Sequence, residues 1–296
     1  MISQVFAIVA PIFICAALGY GWCRLGYDYP AGFISRLVTY IGAPCLIFHS
    51  LVSHPLPLDA MAQTALIAIS ILLVTLLFWA FLLRAWKLDI ATYMPPLLFP
   101  NSGNMGLPLS LFAFGETGMT LGLGYMLLMM IAHLSLGLAI VQGGGSSPRT
   151  ILRNLSSQPM IYAMAAGLGI SAAGWQVPLW MGNTLGLLAD FTIPLMLLTL
   201  GASLATLKVG LWQRALVLSA MRLVIALGIT WLLCRWLEVE PLVQGVALLY
   251  AAMPAAVFNY LFAFQYQRNP EEVAGIVVVS TLLSVAVLPV LLGLII

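Results

Sequence analysis

The chain has 296 residues, 62% of them hydrophobic and only 7% charged, with 11 Lys and Arg against 9 Asp and Glu. Its mean hydropathy is +1.09. A soluble domain carries roughly a quarter charged residues, so this composition excludes a soluble enzyme, a disordered chain and a secreted disulfide scaffold.

In lipid, backbone hydrogen bonds must close within helices or a barrel. Runs such as 65–83 and 273–296 are apolar without the alternation of barrel strands. The expected fold class is therefore an all-α polytopic membrane protein. At about 20 residues per span, the chain predicts about ten, near 4–23, 33–53, 61–85, 90–113, 119–141, 159–173, 183–206, 211–237, 241–265 and 272–296. The first has no basic flank before it, which does not match a signal peptide. The sixth is short and ends at Gly174-Trp175, an interfacial aromatic. Cys15, Cys23, Cys45 and Cys234 fall in or at the ends of spans without metal-like spacing, and read as packing residues. The loops after odd spans hold Arg24, Arg36, Arg84, Lys87, Arg149, Arg153, Lys208, Arg214 and Arg268, whereas those after even spans hold only Arg235. Lys and Arg stay on the cytoplasmic side. The expectation is a cell-membrane protein with both termini outside and the 142–158 linker in the cytoplasm.

One low-complexity stretch, Gly143-Gly144-Gly145-Ser146-Ser147-Pro148, sits at the middle. An offset of 150 residues aligns Leu18-Gly19 with Leu168-Gly169, Pro44 with Pro194, Gln63 with Gln213 and Trp86 with Trp236. It also aligns Leu111-Phe112-Ala113-Phe114 with Leu261-Phe262-Ala263-Phe264. Residues 1–145 and 159–296 then read as two five-span repeats joined by a 146–158 linker. Five is odd, so the second repeat is inverted, an arrangement characteristic of secondary transporters.

Such folds bind substrate where discontinuous helices expose their ends near the midplane. The fourth span contains Pro95-Pro96 and then Pro100-Asn101-Ser102-Gly103-Asn104-Met105-Gly106-Leu107-Pro108; the ninth contains Met253-Pro254-Ala255-Ala256-Val257-Phe258-Asn259-Tyr260. Pro108 cannot donate a helix bond, Gly103 and Gly106 loosen the backbone, and Asn and Ser offer it other partners. A break here leaves free N–H groups at the start of a second half-helix, which suits an anion. The alternative is a pair of proline kinks whose polar residues satisfy the freed backbone.

The run Asn101-Ser102-Gly103-Asn104-Met105-Gly106-Leu107-Pro108-Leu109 resembles the fourth-helix motif of the auxin efflux carrier family. Met253-Pro254-Ala255-Ala256-Val257-Phe258-Asn259, followed by Ser280-Thr281-Leu282-Leu283-Ser284, resembles its ninth and tenth helices; Pro44 and residues 194–201 also fit. The resemblance covers essentially the whole chain. It implies ten helices in two inverted five-helix repeats, as in bile-acid symporters and sodium/proton antiporters. Helices one, two, six and seven would form a scaffold, and three to five and eight to ten a transport domain with two crossing broken helices. It implies a small organic anion as partner, auxin in plants and dicarboxylates such as malate or malonate in microbes. The binding residues would be Asn101, Ser102, Gly103, Asn104, Gly106, Pro108, Pro254 and Asn259, with His133 where the fifth helix faces substrate. Plant members carry a proline at the break in both halves and a long central loop. Here Pro108 is matched by Phe258-Asn259 and the loop is short, which points to a compact prokaryotic-type carrier.

Ionisable residues within a membrane merit a functional hypothesis. Arg222 would either attract a substrate carboxylate, or pair with Asp190 or helix carbonyls. Asp190 would either couple transport to a proton gradient or partner a cation. His133 belongs to the residue type that can titrate near neutral pH. His49 and His54 read as interfacial, Glu116, Glu271 and Glu272 as solvated loop residues, and Met126, Met129 and Met130 as core.

The function expected is alternating-access transport of a small organic anion across the lipid bilayer; the alternative is a sodium- or proton-coupled ion exchanger of the same fold, which usually needs carboxylates at the crossing. No paired-carboxylate, Ser/His or HExxH arrangement of an enzyme is present. No metal or cofactor is expected, and a net charge of +2 offers no nucleic-acid surface. Assembly as a homodimer is left open.

Overall fold

The computed structural model describes residues 2–54, 58–143, 147–207 and 210–296. Residues 144–146 of the central Gly/Ser stretch, and Lys208, lie outside the described residues. Helices α1 (Ile2–Arg24), α2 (Ala31–Leu37), α3 (Ala43–Ser53) and α4 (Leu58–Ala85) are followed by the short α5 (Ile90–Leu98) and the long α6 (Leu107–Ala132). Then come α7 (Leu138–Val141), α8 (Pro148–Ser156), α9 (Pro159–Ala173), α10 (Leu179–Asp190), α11 (Thr192–Thr206), α12 (Trp212–Trp236), α13 (Pro241–Ala251), α14 (Val257–Gln265) and α15 (Pro270–Ile295). Seven helical tracts among the described residues are long and apolar enough to cross a membrane. The longest, Ser102–Val141, is two helices meeting at Gly115, whose φ of 68° and ψ of −164° reverse the chain. A side chain there would strain the backbone.

Among the described residues three π-helical turns interrupt the ladder, at Val38–Gly42, Ser102–Gly106 and His133–Gly137. The first two each end two residues before a proline, Pro44 and Pro108. A wider turn moves away the carbonyl that a pyrrolidine ring would strike. The helix therefore runs through Pro108 unbroken, and the interruption falls earlier, at Phe99–Asn101 rather than at Pro108. Within the linker, Ser147 caps α8 by accepting from the Thr150 amide at 3.2 Å, and Pro148 occupies the first turn.

Packing divides the helices into two groups. In one, α1 lies on α11, and α3 on α9 and α10. The α1–α11 contact is backbone to backbone: a Cβ on Gly19 would strike the Leu198 backbone, and one on Gly201 the backbone of Ala16. In the other, α12 packs on α15 and α4, α4 on α5 and α6, α13 on α6, and α14 on α15. Trp79, Met94, Phe99, Leu218, Ala255 and Val277 form part of a buried cluster in this second group. That cluster surrounds the place where the two interrupted helices cross.

Candidate functional site

The interrupted helices α5–α6 and α13–α14 meet through one antiparallel bridge between Pro100 and Ala255. The Asn101 amide donates to the Pro254 carbonyl at 2.7 Å, and the Ala256 amide to the Phe99 carbonyl at 3.1 Å. The two bonds are related by a local two-fold, and the bridged residues stand 155 apart, five beyond the offset of the sequence repeat. At the crossing, Asn259 is therefore the counterpart of Asn104, and Ala256 of Asn101.

The side chains around this bridge are buried and incompletely paired. Asn259 is 1% exposed, and its Nδ2 donates to the carbonyls of Phe99 (3.2 Å) and Ala256 (3.0 Å). Two carbonyl acceptors fix the amide's orientation, so Oδ1 faces away from them. That Oδ1 makes no well-formed hydrogen bond, nor does the buried Nδ2 of Asn101 or Nε2 of His133, although the Asn259 amide and the His133 ring stand side by side. His133 begins the third π turn, stacks on Phe99 with ring centroids 4.3 Å apart, and stands beside Asn259. Ser102 is buried and Asn104 half-buried. Gly106 is tightly enclosed, since a Cβ there would come within 2.9 Å of the Tyr250 ring. Gly103 faces Met126 and Met196. The first-turn amides of a helix have no helical partner. Neither Asn101 nor Ala256 caps its helix through a side chain, so two positive helix ends meet at the crossing without a side-chain cap. An acceptor, a donor and an imidazole with open valences can grip a carboxylate or hydroxyl without a fixed charge.

The end of α13 is closed differently. Arg222, 3% exposed, donates through Nη1 to the Met253 carbonyl at 2.6 Å. The Ser284 hydroxyl donates to the Ala252 carbonyl at 2.8 Å, and Ser280 Oγ accepts the Ala255 amide at 3.0 Å. Arg222 thus sits on a helix carbonyl. Asp190 is exposed at the end of α10, and among the described residues no ion pair joins it to Arg222. Pro254 lies within the interruption, whereas Pro108 lies inside the following helix.

Phe99 and Tyr250 went unnoticed in the sequence. Phe99 supplies both the carbonyl and the ring against His133, and the Tyr250 hydroxyl donates to the Gly122 carbonyl at 3.0 Å. An aromatic three residues after Pro95-Pro96 was the available signal for the first. Glu272 is not a free loop residue: the Tyr93 hydroxyl donates to it, and Arg214 Nη1 reaches it at 3.1 Å.

The chain matches the family model described as "Membrane transport protein" over residues 4–150 and 146–292. It belongs to this auxin efflux carrier-type family. An "Uncharacterized transporter" of Methanothermobacter thermautotrophicus is 27% identical over 301 residues, covering 95% of each chain. A protein of Rhizobium meliloti named "Putative malonate transporter" is 26% identical over 317 residues, covering 99% of this chain and 96% of its own. A transporter of Methanocaldococcus jannaschii is 23% identical over 270 residues, 87% of each chain. A multi-pass membrane transport protein therefore carries the crossing just described.

Proposed function

We propose that this family member is a secondary transporter that carries a small organic anion across the cell membrane by alternating access, with substrate held where α5–α6 crosses α13–α14. The observation that carries the reading is a group of buried atoms at that crossing without hydrogen bonds, Asn101 Nδ2, Asn259 Oδ1 and His133 Nε2, with Arg222 Nε close by at the end of α13, beside two uncapped half-helix starts. Ser102, Gly103, Asn104, Gly106 and Pro254 surround these atoms in the same interrupted segments. In this reading ten helices form two inverted repeats, 1–145 and 159–296. The group of α1 to α3 and α9 to α11 is the scaffold, and that of α4 to α7 and α12 to α15 the moving transport domain. The packing of each group on itself supports this division. Both termini lie outside and the linker is cytoplasmic, as the cation distribution supports.

The relative named for malonate supports a small dicarboxylate, malonate or malate, as the cargo. A sodium- or proton-coupled exchanger usually needs a carboxylate at the crossing. Among the described residues the buried polar groups there are amides, hydroxyls, an imidazole and the Arg222 guanidinium, with no carboxylate. That chemistry favours the organic anion. Arg222 then stabilises the end of α13 rather than meeting substrate. Purified protein in vesicles should show counterflow of radiolabelled malonate. Asn101→Ala should lower it at least tenfold, roughly the loss of one hydrogen bond to a charged group, and Asn259→Ala should lower it as well, by releasing the Nδ2 bonds that hold the crossing together. Undiminished counterflow in both variants would move the site away from the crossing, and no counterflow with any mono- or dicarboxylate would remove the anion reading.

A further inference from the structure

Helix α8, which leads from α7 to α9, turns its residues in three directions. Ile151 and Leu155, four apart, are half-buried against the protein. Arg149 and Arg153, also four apart, are exposed, and among the described residues their guanidinium groups make no ion pair or hydrogen bond. Leu152, beside the arginines, is 69% exposed. An apolar residue between two cations on a short helix is the pattern of an element lying in a membrane surface.

A second observation sets the level of α8. Tyr162 of α9 is 59% exposed, and its hydroxyl donates to the carbonyl of Ser156, the last residue of α8, at 2.8 Å. Exposed tyrosines with one wet and one apolar end belong to the interface between headgroups and acyl chains. The C-terminus of α8 is tied to that layer. Its inner side packs against the π turn His133–Gly137.

We propose that α8 is an in-plane anchor for anionic phospholipid, with Leu152 entering the acyl boundary and Arg149 and Arg153 holding phosphate headgroups. This rests on the reading of the linker as cytoplasmic, where the leaflet is negative. Because α8 touches the turn that carries His133 and joins the two groups of helices, its hold on the bilayer ties the end of α7 to the membrane surface. Transport then depends on the anionic lipid content.

The test needs no substrate, so its failure is distinct from failure of the transport reading. A nitroxide is placed at Leu152→Cys in protein whose four native cysteines are replaced, and its collisions with oxygen and with a water-soluble nickel chelate are measured in phosphatidylcholine vesicles with and without phosphatidylglycerol. Phosphatidylglycerol should raise the oxygen-to-nickel ratio several-fold. Arg149→Gln with Arg153→Gln should weaken the underlying partitioning roughly thirtyfold, about fivefold for each arginine, with thermal melting unchanged. An equal ratio in both lipids, or an undiminished response in the double variant, overturns the proposal. So does a response reproduced by soluble glycerol phosphate over phosphatidylcholine, which would make the ligand a free phosphate.

Discussion

At the end of α5 the Phe99 carbonyl receives a backbone amide and the neutral side chain of Asn259. At the end of α13 the Met253 carbonyl receives a guanidinium, and the Ala252 carbonyl a hydroxyl. The backbone pattern is the same at both ends, and the groups that finish it are not. A cation beside the last carbonyls of a helix meets the negative end of its dipole, so α13 ends on a fixed charge. The amides differ in the same sense. Asn259 is tied to the opposite helix, whereas its counterpart Asn104 is half-buried and makes no side-chain hydrogen bond among the described residues. Asn259 of the second interrupted helix anchors the crossing through Nδ2 and leaves only an acceptor, Oδ1, open, whereas the first leaves the Asn101 donor open.

The largest effect should follow from removing the charge. Arg222→Met takes away the guanidinium that closes α13, and a buried hydrogen bond to a charged group contributes about 2–3 kcal/mol. The melting temperature in detergent should fall by roughly 5–10 °C. Arg222→Lys should recover part of this, since an ammonium reaches a carbonyl but lacks the planar fork. A fall of less than about 2 °C in Arg222→Met would erase the distinction between the two ends. Asn259→Ala should cost less. It removes two neutral hydrogen bonds and leaves the Phe99 carbonyl with its amide partner, a loss of about 1–2 kcal/mol, read as a drop of a few degrees. If Asn259→Ala melts as low as Arg222→Met, both ends are held alike.

The same asymmetry marks what could be seen in advance. Apolar runs located the helical stretches to within a few residues, because lipid leaves the backbone few choices. Only seven tracts among the described residues are long and apolar enough to cross a membrane, against the ten expected. Pro100 and Pro254 lie at the two interruptions, where a missing N–H costs helix bonds, whereas Pro95-Pro96 lie within α5. The register of the crossing was hidden. Matches at Trp86/Trp236 and in the Leu-Phe-Ala-Phe run give an offset of 150, yet α13 has eleven residues where α5 has nine. The breaks themselves, 99–101 and 252–256, also differ in length. Identity matching on either side passes over residues inserted between. Pro108 misled for another reason, since the π turn before it absorbs the proline. The stack of His133 on Phe99 joins positions on separate helices, which no periodicity within one helix records.

Asn101 gives the finest test of the comparison, because its two roles separate. Its backbone amide makes the bridge, which alanine retains, while its Nδ2 has no partner in the protein. Removing an unpaired buried donor costs little, since no bond is lost and a desolvated group disappears. Asn101→Ala should therefore melt within about 0.5 kcal/mol of the parent, the range of a neutral substitution. A saturating carboxylate at about 100 times its dissociation constant should stabilise the parent by roughly 2.7 kcal/mol, and this increment should shrink or vanish in the variant. An unliganded variant that melts several degrees lower would show that the side chain is part of the frame. An unchanged ligand increment would show that the open valence is not where the anion binds. Only a normal unliganded melt together with a lost increment assigns the Asn101 side chain to recognition rather than to support.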